Sequence, residues 1–234
     1  MLQAKQPILF LSHGSPMTAL GGDDLSRTWS QLAGRLVRPA AILMVSAHWN
    51  TRLPLVSGSA EPETIHDFGG FPAELYRIRY PAPGNPALAQ RIKKQLTDAG
   101  LATGIDAGRG LDHGAWVPLR ILFPSADVPV LQLSVQPERC ARHHHALGAA
   151  LASLSRENIL VIASGHMTHN LMDFMRAGEG EGIAPDSQVF RDWVHERLMA
   201  SDNESLLDWQ QSAPGASHAH PTPEHFLPLF VALG

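Results

Sequence analysis

This chain predicts an α/β fold, a single domain built on a central, mostly parallel sheet with helices on both faces. Three features carry that expectation. The apolar stretches ILFL (8–11), AILMV (41–45) and ILVIA (159–163) run without alternation, as strands do when both faces are buried. Segments of helical periodicity lie between them, the arrangement that brings strands parallel. No linker, fixed-period repeat or low-complexity stretch interrupts the 234 residues. That length supports one sizeable core, so the domain is expected to span 1–234.

The elements follow in order. Residues 7–12 read as the first strand, not a signal peptide, because no small-residue cleavage site follows the apolar patch. Residues 23–36 read as a helix, with Leu25, Trp29, Leu32 and Leu36 at helical spacing. Residues 40–47 are a buried strand and 53–57 a short one. A loop rich in Gly, Pro and acidic residues covers 58–74. LYRIRY (75–80) alternates and reads as a half-buried strand, stopped by Pro81, Pro83 and Gly84. Asn85 is expected to cap a helix over 86–99. GLDHG (110–114) leads into a helix near 115–123. A strand at 128–135, a helix at 138–155, a strand at 158–163, and helices at 186–200 and 222–232 complete the chain.

Composition narrows the function. Hydrophobic residues make up 44% of the chain and the formal net charge is −4, with a sequence pI near 6.3. No basic block or acidic tail is present, so nucleic acid is not an expected partner. No apolar run approaches the ~20 residues that span a bilayer, so no membrane association is expected, and the cytoplasm is the expected location. The single cysteine, Cys140, excludes an intrachain disulfide and a Cys-rich zinc site. It is expected to be a packed thiol flanking a helix. There is no H-E-x-x-H, Walker loop, G-x-G-x-x-G or G-x-S-x-G, which removes the common zinc-protease, NTPase, Rossmann and serine-hydrolase readings.

Histidine is the outlier, with 13 residues against 18 Lys plus Arg. It is the commonest transition-metal ligand and a common general base. Its placement has a grammar. Three apolar runs end in a serine with a histidine one or two positions on: Ser12–His13, Ser46–His48 and Ser164–His166. In open α/β sheets ligands bind beyond the carboxyl ends of the strands, so these histidines have a geometric reason to converge on one metal ion. One histidine at a strand end is ordinarily a backbone cap; two with the same grammar favour metal, and His13 and His48 are the leading ligands. In SGHMTHN, His169 is expected to face inward while His166 packs or meets solvent, and Gly165 is expected to let backbone approach a ligand. His113 is either a helix-entry residue behind the cap Asp112 or a substrate-facing imidazole and proton donor. SHAHPTPEHFLPL places His220, Glu224 and His225 at a helix start, with Pro221 and Pro223 fixing the backbone. A carboxylate here would complete a two-His, one-carboxylate set. His218 reads as loop filler, His195 as part of a charged face, and His66 as part of a loop overhanging the site. His143, His144 and His145 read as a surface run. Nitrogen and oxygen ligands without Cys suit Zn, Fe(II), Mn or Ni.

The motifs LSHGSP, SAHW, HDFGGFP, YPAPG, LDHGAWVPL, SGHMTHNL and HPTPEHFLPL, in this order along essentially the whole chain, resemble the class III (LigB-like) extradiol ring-cleavage dioxygenases. The resemblance is greatest to their 4,5-DOPA dioxygenase branch. It implies an Fe(II) enzyme that takes a small-molecule catechol and O2 and opens the ring to a semialdehyde, with Zn(II) an ion that purification can leave in the site. It implies that His13 and His48 are metal ligands, that His169 is the active-site base and that His113 contacts the catechol. For the last ligand it leaves His220 and Glu224 equal, with His225 beside them. Two other readings stand beside this one. A zinc metallohydrolase could use the same ligands. A Memo-like, non-enzymatic metal-binding protein has a similar fold, but such proteins tend to lack the HPTPEHFLPL ending.

Overall fold

The computed structural model describes residues 5–176 and 183–234. Among these residues six strands form one sheet: β1 (Ile8–Ser12), β2 (Ala41–Asn50), β3 (Leu55–Ser57), β4 (Gly104–Asp106), β5 (Val130–Val135) and β6 (Ile159–Gly165), in the order β1-β6-β2-β5-β3-β4. β1, β6, β2 and β5 are mutually parallel along their shared ladders. β3 meets β5 antiparallel, through Val56 and Leu133, and pairs parallel with β4. The mostly parallel sheet is therefore as predicted, and the carboxyl ends of its four mutually parallel strands lie at one edge.

The helices are α1 (Asp24–Ala33), α2 (Pro86–Asp98), α3 (His113–Leu122), α4 (Ala141–Leu151), α5 (Leu171–Arg176), α6 (Pro185–Met199), α7 (Asn203–Leu207), α8 (Trp209–Ser212), α9 (Ala216–Ala219) and α10 (Leu227–Leu233). β2 shows why they cover both faces. Ile42 and Met44 enter a core with Trp29 of α1 and Trp116 of α3. Leu43 and Val45 enter a second core, with Ile92 and Leu96 of α2 and Leu147 and Leu151 of α4. Successive strand side chains point to opposite faces, so a continuous apolar run needs a cover on each. A third core, around Phe190, Trp209, Phe226 and Phe230, packs α6 to α10 together. Asn85 caps α2 through Leu88 N, as expected.

Four expectations are corrected. Residues 75–80 form no strand; Leu75–Arg77 is a 3-10 turn. Their alternation reflects Tyr76, Ile78 and Tyr80 turning inward between exposed Arg77 and Arg79, with the Tyr80 hydroxyl donating to Phe123 O, not a ladder. The last helix begins at Leu227, later than 222, because the segment before it carries Pro221 and Pro223. Cys140 is exposed, at the N-cap of α4, and is not a packed thiol. The histidine run is not surface: His144 is fully buried, with Nε2 accepting from Gln136 N and Nδ1 donating to Cys140 O. The strand β4, three residues long, carried no signal of its own.

Candidate metal centre

The site begins with serines. Ser46 stands in register with Ser164 on β6 and Ser134 on β5, and all three are fully buried. A hydroxyl in a buried strand end must find partners, and each does. Ser164 Oγ donates to Gly114 O and lies 3.1 Å from His13 Nδ1. Ser46 Oγ donates to Asp112 Oδ1 at 2.6 Å and accepts from His48 N at 3.2 Å. Asp112 caps α3 and is held by Arg109 Nη2 at 2.7 Å and Gln132 Nε2 at 3.0 Å. This brings the first residue of α3, His113, against the end of β2. Gly114 makes the approach possible: a Cβ there would lie 2.6 Å from Ser46 Oγ and 3.0 Å from His48 Cδ2.

The imidazoles converge. His48 Nε2 lies 3.0 Å from His13 Nε2 and 3.3 Å from His225 Nε2. The proton positions follow from the outer partners. Ser164 gives its proton to Gly114 O, so its oxygen accepts from His13 Nδ1–H and His13 Nε2 is a bare lone pair. His225 Nδ1 lies 3.0 Å from Glu224 Oε1 and His113 Nδ1 3.0 Å from Asp67 Oδ1. A carboxylate only accepts, so both Nε2 atoms are bare as well. His48 Nδ1 faces Asp67 Oδ2 at 3.6 Å. Bare nitrogens packed this closely repel unless a cation lies among them. Two imidazole nitrogens bound at ~2.1 Å to one ion lie about 3.0–3.4 Å apart for angles between 90° and tetrahedral, which is the spacing found. Outer partners on Nδ1 with Nε2 turned inward are the usual dress of metal-bound histidine. His13, His48 and His113 offer ligand atoms within 4.8 Å of one another, and so do His169, Glu224 and His225. The residues fit a metal ion.

Electrostatics agrees. Burial, followed by the neighbouring His166, holds His13 well below the usual imidazole range. Burial, then His113 and His225, lowers His48. Burial, then His225, lowers His166 to about 3 and His169 to about 4. All are thus neutral at pH 7, as ligands and bases must be. Burial alone would raise Glu224, but the hydrogen bond from His225 prevails and holds it at about 2.

Of the residues the sequence singled out, His13 and His48 sit together at the centre, and the His113 ring lies 3.8 Å from that of His48. His169 stacks on His225 at 3.4 Å with 11° between planes. Glu224 stands behind His225 on its Nδ1 side. His220 is elsewhere: its ring packs among Phe190, Trp209 and Phe226, and Nε2 donates to Met167 O at 2.9 Å. Of the terminal segment, it is His225 that turns a bare nitrogen to His48.

Other details differ from expectation. His166 packs, one of the two placements expected of it, and does so inside the cluster, its ring 4.3 Å from that of His13. Gly165 makes room not for a ligand but for the chain ahead of α10. A Cβ would lie 2.1 Å from His225 O, which accepts from His166 N. His66 anchors its loop through Ile78 O, while its neighbour Asp67 reaches the site and Phe68 packs edge-on against His113 at 5.7 Å. Asp67 was missed; the signal available was its place as the acidic residue of an aromatic, Gly-paired loop. His218 is not filler, since Nε2 pairs with Asp173 at 2.7 Å. His195 is exposed, as expected of a charged face.

A parallel sheet with a histidine centre at its carboxyl edge defines a class, the metal-dependent α/β enzymes. The chain belongs, more narrowly, to the family described as the catalytic LigB subunit of aromatic ring-opening dioxygenase, whose profile matches residues 7–234. It is an extradiol aromatic ring-opening dioxygenase, an oxidoreductase. It is 43% identical to a 4,5-DOPA dioxygenase extradiol of Beta vulgaris, over 96% of this chain and 85% of that one. A protein of the same name from Escherichia coli K12 is 40% identical, over 100% and 86%. A crystal structure of an uncharacterized protein from Escherichia coli K12 superposes with a TM-score of 0.82 at 36% identity, covering 97% of this chain and 88% of that one. No helix among the described residues is long and apolar enough to cross a membrane.

Proposed function

We propose that this chain uses Fe(II) and O2 to open a catechol such as DOPA to a semialdehyde, with His13, His48 and His225 as metal ligands. The observation that carries the reading is the set of inward Nε2 atoms, 3.0 and 3.3 Å apart, with His13 and His225 each hydrogen-bonded to an oxygen on Nδ1 and the His48 Nδ1 facing Asp67 Oδ2 at 3.6 Å. The names of the relatives point to DOPA as the catechol.

Fe(II), when bound, supplies the redox chemistry that lets a catechol and O2 react. The protein's groups supply the rest. His169, neutral and stacked on His225, is the base that takes a catechol proton. His113 presents its bare Nε2 to the same space, with Asp67 fixing the ring through Nδ1. Phe68, edge-on to His113, closes one side of the site against water. Zn(II) would occupy the same nitrogens but has no redox chemistry, so a zinc form is expected to be inactive.

The test is anaerobic Fe(II) reconstitution of metal-stripped protein, followed by L-DOPA and then air. Oxygen uptake matched by a yellow ring-opened product is expected. No uptake with DOPA, caffeate or protocatechuate at full iron occupancy would sink the proposal. His169→Ala should keep its iron and lose turnover; wild-type rates in that variant would remove His169 from the reaction.

A further inference from the structure

Between the end of β6 and the start of α5 lies an irregular turn, 166–170, that carries His169. Backbone outside a ladder or helix must find partners elsewhere, and this turn finds them in the segment 218–225. Two are backbone bonds: His166 N donates to His225 O and His169 N to Ala219 O, both at 2.8 Å. Two more come from side chains. His220 Nε2 donates to Met167 O at 2.9 Å, and Asn170 Nδ2 donates to His218 O at 2.7 Å. Met167 and Asn170 stand on either side of His169 in the chain, so the two side chains grip the turn at both flanks.

Each grip has a fixed direction. The Asn170 amide cannot turn over, because Oδ1 caps α5 by accepting from Met172 N and Asp173 N at 3.0 and 3.3 Å. That leaves Nδ2 for His218 O. His220 is locked by packing: it is 4% exposed, with its ring among Phe190, Trp209 and Phe226. A carbonyl only accepts, so Nε2 carries the proton and Nδ1 is a lone pair, buried without a partner. Burial, the largest influence, lowers His220 to about 4 and so keeps it neutral at pH 7. An unpaired buried acceptor is a cost that a phenyl ring in the same aromatic surroundings would not carry. What the imidazole adds there is the bond to Met167 O.

We infer that His220 and Asn170 are positioning residues for His169: by gripping Met167 O and His218 O they set the His169 ring against His225. The stack they set is tight, with centroids 3.4 Å apart and 11° between planes. The inference rests on the role of base proposed for His169.

Two substitutions at His220 separate positioning from support. His220→Phe fills the aromatic surroundings and removes the donor. His220→Gln keeps a donor close to the place of Nε2 and packs worse. In urea unfolding His220→Phe should be the more stable of the two. In turnover of the iron-loaded protein the order should reverse. His220→Phe should lose kcat by roughly 100-fold, the cost of misplacing a reacting group by about 1 Å, at unchanged KM, while His220→Gln keeps most of it. A merely structural role would make turnover follow stability, and that order would overturn the inference. A second readout needs no turnover. In zinc-loaded protein labelled with 13C at histidine Cε1, the His169 signal is identified by its loss in His169→Gln. It should move in His220→Phe, and in Asn170→Asp, which keeps the α5 cap but has no donor for His218 O. It should stay in place in His220→Gln, and zinc content should match wild type throughout. An unmoved His169 signal in either of the first two variants, or zinc lost from His220→Phe, would overturn the inference. Failure of oxygen uptake in the wild type would leave this readout standing, so the two proposals fail separately.

Discussion

Histidines gather at the carboxyl ends of two neighbouring strands, and the two gatherings are opposites. Beyond β5, His144 uses both ring nitrogens, Nδ1 on Cys140 O and Nε2 on Gln136 N, while His143 Nε2 meets Gln136 Oε1. Beyond β2, His48 spends neither nitrogen on backbone; its Nε2 faces the bare nitrogens of His13 and His225. His144 and His48 are both lowered chiefly by burial. Burial and a depressed pKa therefore do not mark a functional histidine. What marks it is a nitrogen left unspent and turned toward others like it. The first arrangement is finished by the fold; the second, on the proposed reading, would be finished by an ion.

The sharpest way to break this contrast is His48→Ala. It should abolish stoichiometric metal binding, a loss beyond the ~10–100-fold that removing an outer partner costs. Metal analysis after dialysis at a fixed free Fe(II) or Zn(II) reads it, and unchanged content would show that the cluster is as self-sufficient as its neighbour. His144→Ala should do the converse. Losing two buried hydrogen bonds and leaving a void should cost about 3 kcal/mol in urea unfolding, with metal content unchanged. Glu224→Gln probes the outer layer. The His225 ring keeps an acceptor but loses the carboxylate charge behind it, so metal affinity should fall by roughly 10-fold, and unaltered affinity would deny His225 its place.

The smallest effect concerns pH. The unfolded chain's His144 titrates near 6.5, but the folded one's near 4. Between those values the unfolded state binds more protons, so acidification destabilises the fold, by about 1 kcal/mol at pH 5.5 from this residue. The urea midpoint of the metal-free protein should drop between pH 7.5 and 5.5, and less so in His144→Phe. Equal drops would mean that His144 is not held neutral by its burial.

Much of this was legible in the sequence. The unbroken apolar runs dictated strands covered on both faces, and the Ser-then-His endings located one edge of the sheet. His13, His48, His113 and His169 all reach that edge. What could not be read is what depends on direction at a short range. His220 and His225 stand five positions apart around two prolines, and only the path of the chain past Gly165 decides which ring turns inward. Asp67 was hidden because its partner, His113, is remote in sequence. The strand reading of 75–80 failed because a period of two also arises when side chains of an irregular segment alternate between a core and solvent.

The three nitrogens around His48 come from the ends of β1 and β2 and from the turn before α10, so they join residues distant along the chain. On the proposed reading, an ion bound among them would be a staple as well as a cofactor. It closes a loop that runs through nearly every element of the fold, and the entropy of closing so long a loop grows only slowly with its length. Binding only the assembled state, the ion adds its own affinity to the stability of that state. Loading with metal thereby reports that the last helix has docked, and chelation should loosen α10 and the turn before it, not the strands.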